Sequence, residues 1–356
     1  WERGNPALPE VSYDPVDYSS QIRQLDSIIR RASALDHPLA NYLKDTAQSY
    51  IDVARLIGSL GTSKMTELSI GIYGRPGNPI TGGEGATSLD AAKYFIDVGA
   101  EFYATNLLRD ADYCLSAQTI KDDLEAGLRE VFDDGLISVV VDSGLAAKAA
   151  AGATRIRLRD STCFSPYDAQ QLLQHEVFVH SLTALNGRSQ GTISAMSLGA
   201  PRTTASQEGL ATFAELVTGS IDISRLERIA MRIIAIDMAL NGADFIDVFR
   251  YFVDTGLPLA ECYNSTMRVF RGAPVSGGHA FTKDSVYLRG MLEVHTFFRW
   301  AFKEQKFRFC QHFFAGRMTL NDVVRYEAFF EDGTLSQPKY LPPWMTRTAG
   351  LGGYLA

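Results

Sequence analysis

A chain of 356 residues that is 46% hydrophobic and 21% charged can bury a large core, which excludes a disordered or fibrous polymer. The net charge of -7 excludes general binding of nucleic acid, because neutralising phosphates needs a basic surface. No apolar run reaches the ~18 residues of a membrane span, so no membrane partner is expected, and the start Trp1-Glu2-Arg3-Gly4-Asn5-Pro6 does not read as a signal peptide.

Residues 1 to 15 hold three prolines and read as an extended arm. From Tyr18 to Ile57 apolar residues recur at helical spacing, broken at Asp36-His37-Pro38, so two helices in a hairpin are expected. Gly71 to Gly85 is turn-rich and reads as a loop. Ser116 to Asp133 predicts an exposed helix. Leu136 to Val141 is β-branched between Gly135 and Gly144, and Thr154 to Arg159 alternates polar with apolar residues, so both predict strands, the second half-buried or at an edge. The three arginines of that second strand, Arg155, Arg157 and Arg159, are expected on its solvated face.

A helix follows, opened by Ser165-Pro166-Tyr167-Asp168 as N-cap, first-turn proline and acid, and closed by Asn186-Gly187. Beyond Gly199 the pattern is helical over Ser206–Thr218, Ser224–Leu240, Ala243–Asp254, Pro258–Arg271, Lys283–Phe302 and Leu320–Phe330. The expected class is α+β with helix dominant: a small sheet and an active-site helix surrounded by helices. The expected division is an arm and hairpin over 1–70, a catalytic domain over 71–335 and a tail over 336–356. Cys114, Cys163, Cys262 and Cys310 lie far apart and never form C-x-x-C, so four free thiols in a reducing, cytoplasmic compartment are expected.

The helix after Pro166 carries His175-Glu176-Val177-Phe178-Val179-His180. Hydrolytic zinc sites need neutral imidazoles to hold the ion, an open position for water, and a carboxylate to take the water's proton. His175 and His180 supply two donors and Glu176 a general base. A spacing of i and i+5 places the two rings ~140° apart on a regular α-helix. A shared ion therefore requires a π-bulge or a broken turn between Gln174 and His180. By spacing alone, two histidines on an apolar helix are more often hydrogen-bonded core or surface residues than a metal site. Ser206 reads as the N-cap of the next helix, which puts Glu208 in its first turn, where a carboxylate is favoured. Glu215 lies two turns on along nearly the same face and is placed to support a metal ligand.

The run Gln170 to His180, the segment Thr183-Ala184-Leu185-Asn186-Gly187-Arg188 and Gln207-Glu208-Gly209-Leu210-Ala211 together resemble bacterial QEGLA-motif proteins described as modulators of flavohaemoglobin expression. That group is related to the microtubule-associated tyrosine carboxypeptidases. The resemblance spans about Tyr73 to Tyr326 and includes Phe281 to Leu288. It implies one Zn2+ per chain held by His175, His180 and Glu208, with Glu176 catalytic, and a metallopeptidase-like fold. It also implies a protein or peptide C-terminus as substrate, with the removed residue aromatic. A carboxypeptidase must grip the free carboxylate of its substrate. Lys283, Arg202 and Arg271 are the nearby cations, and His279 and Tyr287 are candidate donors to a tetrahedral oxyanion. Two other readings use the same donors: a non-haem iron enzyme, and a regulatory protein that binds metal without turnover.

Overall fold

The computed structural model of the chain describes residues 4, 6–14, 16–104, 114–145 and 147–355. Among them the fold is helix-dominant with one three-stranded sheet, the α+β arrangement expected. Residues 6–14 of the expected arm carry neither helix nor strand, and Trp1, Glu2, Arg3 and Asn5 lie outside the described residues. The chain divides into two compact units, one of residues 1–101, 200–204 and 223–289, the other of residues 102–199, 205–222 and 290–356.

In the first unit the expected hairpin is formed by Ser19–Ser33 and Ala40–Ile57. A third helix, Ser63–Tyr73, occupies the start of the stretch read as a loop, and Ser88–Ala104 follows it. The third helix had no clear apolar stripe to announce it, and the fourth was not expected from the sequence. Thr66 and Ser69 of the third helix are buried, yet satisfied: the Thr66 hydroxyl accepts from the Ala280 amide at 3.2 Å, and Ser69 Oγ from the Thr282 amide at 2.8 Å. The apolar core of this unit is built from Ile236, Phe245, Val248, Phe252 and Phe270, on Ile223–Leu240, Phe245–Asp254 and the end of Leu259–Val269. Asp244 caps the middle one, accepting from the amides of Ile246 and Asp247.

The second unit holds the sheet: β1 (Ser138–Asp142), β2 (Ala149–Ala151) and β3 (Arg155–Arg159). The strand order is β1-β3-β2, with β1 parallel to β3 and β2 antiparallel to it. Thus β3 is the central strand, not an edge. Its alternation has the expected cause, since Ile156 and Leu158 are fully buried while Arg155 and Arg157 are exposed, Arg157 pairing with Asp142 at 3.5 Å.

One expectation fails here. Cys114 and Cys163 form a disulfide, beside a bridge between Leu115 and Phe164. A sequence separation of 49 hid the pairing, and with it goes the ground for a reducing, cytoplasmic compartment. Cys262 and Cys310 are buried thiols, as expected. No helix among the described residues is long and apolar enough to cross a membrane.

Candidate metal centre

The helix that carries both histidines begins as α-helix over Asp168–Leu172, becomes π-helix over Leu173–Ser181, and returns to α-helix over Leu182–Arg188. This is the distortion that the i, i+5 spacing demanded, because i+5 hydrogen bonding brings residues five apart onto one face. The imidazole centroids of His175 and His180 stand 4.9 Å apart with ring planes at 88°.

The helix starts later and ends later than its sequence signals suggested. The Asp168 carboxylate accepts from the Ser165 amide at 2.5 Å, but Ser165 is not the N-cap and Pro166 precedes the first helical residue. Asn186 and Gly187 do not terminate the helix. The Asn186 amide donates to the carbonyls of Phe314 and Tyr340, both at 2.8 Å, and accepts from the Tyr340 amide at 2.9 Å. Gly187 faces the Met196 backbone so closely that an added Cβ would come within 2.4 Å of its carbonyl oxygen. Both residues type as helix breakers, and both are kept for packing.

Glu208 lies on Thr204–Val217. Ser206 is not its cap: a 3-10 turn over Pro201–Thr203 leads into the helix, which places Glu208 in the second turn. Glycine in the motif that follows has a structural cause. A Cβ on Gly209 would come within 2.2 Å of the Gly290 carbonyl carbon, so only hydrogen lets the Glu208 helix run backbone to backbone against Val286–Lys303 at this point. The Thr183 hydroxyl donates to the Val179 carbonyl at 2.7 Å and lies 3.0 Å from the Gln207 amide oxygen, tying the π-helix to the Glu208 helix.

These elements bring His175, His180 and Glu208 together, with one donor atom from each lying within 4.8 Å of the others. Glu208 Oε2 is 3.4 Å from His175 Nε2 and 3.7 Å from His180 Nε2. Good hydrogen bonds are shorter, at ~2.7–3.2 Å. Ligands ~2.0–2.1 Å from a tetrahedral ion stand ~3.3 Å apart, which is close to the spacing observed. The donor set therefore fits a metal ion.

Behind His175, its Nδ1 lies 2.6 Å from Glu215 Oε1, a carboxylate with no solvent exposure that also accepts from Gln171 Nε2 at 3.2 Å. An Nδ1–H donated to Glu215 leaves the Nε2 lone pair facing Glu208, the tautomer a metal requires. Arg317 donates to the His180 carbonyl at 3.1 Å. Arg317 has no signal in the sequence, because it acts through a backbone carbonyl far along the chain.

The electrostatics agree. Burial drives the His175 imidazolium toward neutrality, yet the adjacent Glu208 carboxylate, the hydrogen bond to Glu215 and the nearby Glu176 charge outweigh it and hold its pKa up to about 10. Burial likewise opposes ionisation of Glu208, but hydrogen bonds and charge from both imidazoles outweigh it and keep the carboxyl well below its usual range. With both imidazoles neutral the surroundings are anionic and draw in a cation, whether proton or metal.

The five residues expected to contact substrate belong to the first unit. Arg202 lies 5.0 Å over the Tyr42 ring, and Arg271 is exposed. His279, Lys283 and Tyr287 are half-buried. What sequence reasoning missed there is the ion pair beside Lys283: Arg268 Nε and Nη2 donate to the Asp284 carboxylate at 2.7 and 2.8 Å.

A helix-dominant α+β protein with a His-His-Glu group able to hold one metal ion is the class that fold and site define. A family model for microtubule-associated tyrosine carboxypeptidases matches residues 2–356, and the chain belongs to that family. Membership carries carboxypeptidase-like hydrolysis at a protein C-terminus. No curated protein matches the chain.

Proposed function

We propose that the chain is a zinc-dependent metallocarboxypeptidase that removes a C-terminal, aromatic residue from a protein or peptide. The observation that carries this reading is the convergence of His175 and His180, both on the π-helix, with Glu208 of Thr204–Val217, and with Glu176 immediately after the first donor. His175 Nε2, His180 Nε2 and a Glu208 oxygen would hold the ion. When bound, zinc supplies Lewis acidity, which polarises a carbonyl and acidifies water. Glu176 accepts the proton of the attacking water and passes it to the leaving amine. Glu215 keeps His175 oriented and in the donor tautomer, and Arg317 pins the His180 backbone. Lys283, Arg202, Arg271, His279 and Tyr287 are proposed as substrate contacts on their chemistry alone. The Gln207–Ala211 motif supports the narrower kinship with bacterial QEGLA-motif proteins.

The test begins with elemental analysis, which should find about one zinc per chain; iron in its place after metal-unbiased expression would overturn the zinc reading. A peptide library with varied C-terminal residues, read by mass spectrometry, then supplies a substrate. Glu176→Gln should retain zinc and fold and slow hydrolysis by about a hundredfold to ten-thousandfold. Trimming at the wild-type rate would refute the assigned base, and equal cleavage of amidated and free-acid peptides would refute carboxypeptidase action. Lys283→Ala should impair only free-acid substrates.

A further inference from the structure

In the first unit the helix Ser63–Tyr73 ends at Gly74, whose φ of 80° lies in the left-handed region. Glycine is required there for a second reason. A Cβ at this position would collide with Nη1 of Arg289, from the first turn of Val286–Lys303, and would stand 3.7 Å from Asn78 Nδ2. The bare backbone is thus a floor on which a guanidinium rests, and the Asn78 amide flanks it.

Arg289 is half-buried, yet among the described residues its side chain makes no hydrogen bond and no ion pair. Arginine is seldom buried unless paired, and a partly desolvated charge without a counter-ion is destabilising. Arg268 of the same unit shows the usual remedy, its fork filled by Asp284 at 2.7 and 2.8 Å. The negative end of the helix Ser63–Tyr73 attracts the Arg289 charge but brings no acceptor within hydrogen-bond distance. Of the three guanidinium nitrogens only Nε is sealed from solvent, so Nη1 and Nη2 stay open to a partner from outside. Asn78 is exposed, and its side-chain amide is likewise unpaired among the described residues. An oxyanion accepting at ~2.9 Å can reach Nη1 and Nδ2 together, because both stand around the one point over Gly74.

We propose that Arg289 and Asn78 form a binding site over Gly74 for a carboxylate group. The two Nη atoms meet its two oxygens as a fork, and the Asn78 amide donates to one of them. Charge and donor number both match, since one guanidinium faces one monoanion. A peptide C-terminus and a small free acid present the same group, and the site is inferred without recourse to the proposed hydrolysis.

The experiment titrates the full chain with N-acetylglycine, a peptide end, and with acetate, a small acid, by ligand-observed NMR at constant metal content and low ionic strength. N-acetylglycinamide and inorganic phosphate are the controls. At least one carboxylate should saturate with a dissociation constant on the order of 1–10 mM, and the amide should not bind; the tighter of the two carboxylates identifies the source. Arg289→Gln should weaken binding at least about tenfold, Arg289→Lys less because charge remains without the fork, and Asn78→Ala, in an exposed turn, about threefold. Because Arg289 lacks a counter-ion, Arg289→Gln should leave the thermal midpoint unchanged or raised. No saturable binding of either carboxylate, or wild-type affinity in both Arg289→Gln and Asn78→Ala, overturns the site. Phosphate binding about tenfold tighter than both carboxylates overturns the assigned ligand. Hydrolysis is not read, so failure here leaves the metallocarboxypeptidase reading to its own test.

Discussion

Glu215 shows how much of the candidate centre depends on a residue that touches no substrate. Its carboxylate, fully buried and 2.6 Å from His175 Nδ1, fixes which imidazole nitrogen carries the proton. Glu215→Gln keeps the shape but lets the amide present N–H to Nδ1, favouring the wrong tautomer. Zinc affinity should drop about tenfold to a hundredfold, measured by competition with a chelator; unchanged affinity would leave Glu215 a mere core acid. Asp284 makes a separate pH prediction. Burial opposes its ionisation, but the Arg268 hydrogen bonds and charge outweigh this and lower its pKa below the unperturbed 3.8. A carboxyl whose folded pKa is depressed contributes stability above its unfolded value, and that contribution is lost as pH falls through the folded value. Asp284→Asn should therefore cost on the order of 2 kcal/mol at neutral pH, and much less well below pH ~3.8, where both forms are uncharged. Urea unfolding at two pH values reads the difference.

Elements were legible where the physics is local. Apolar spacing announced the hairpin and most of the later helices, and β-branched alternation announced β1 and β3. A departure from regular α-helix was legible from the i, i+5 spacing of His175 and His180, which required either a π-type turn or a broken one for both rings to share an ion; the structure takes the π form. What was not legible depends on contacts across the chain. Ser63–Tyr73 buries Thr66 and Ser69 against distant partners, so it lacks the apolar stripe that betrays a helix. Asn186-Gly187 looks like a stop because its packing against Tyr340 and Met196 is invisible locally. Strand order and the short β2 were likewise beyond reach. The Gly209–Gly290 approach yields a direct test of helix packing. Gly209→Ala forces two backbones apart and should cost about 2–4 kcal/mol while displacing Glu208, so thermal stability and zinc content fall together. Gly71→Ala, in a helix with open space around it, should instead gain about 0.5–1 kcal/mol.

At the scale of the whole molecule, the disulfide is the feature with the widest reach. By loop-closure entropy, a ring of the size set by a sequence separation of 49 restricts the unfolded chain by about 4 kcal/mol. A reductant should accordingly lower the unfolding midpoint by several degrees, and Cys114→Ser with Cys163→Ser should reproduce that loss without further response to reductant. The segment between the two cysteines contains Ala117–Leu128 and all three strands. In topological terms the sheet lies on a closed loop, not on an open thread. A single cut anywhere from 115 to 162, for example in the exposed turn at Gly135, then severs the thread without separating its ends. The nicked protein should migrate as one species on a non-reducing gel and fall into two fragments only once the Cys114–Cys163 bond is opened.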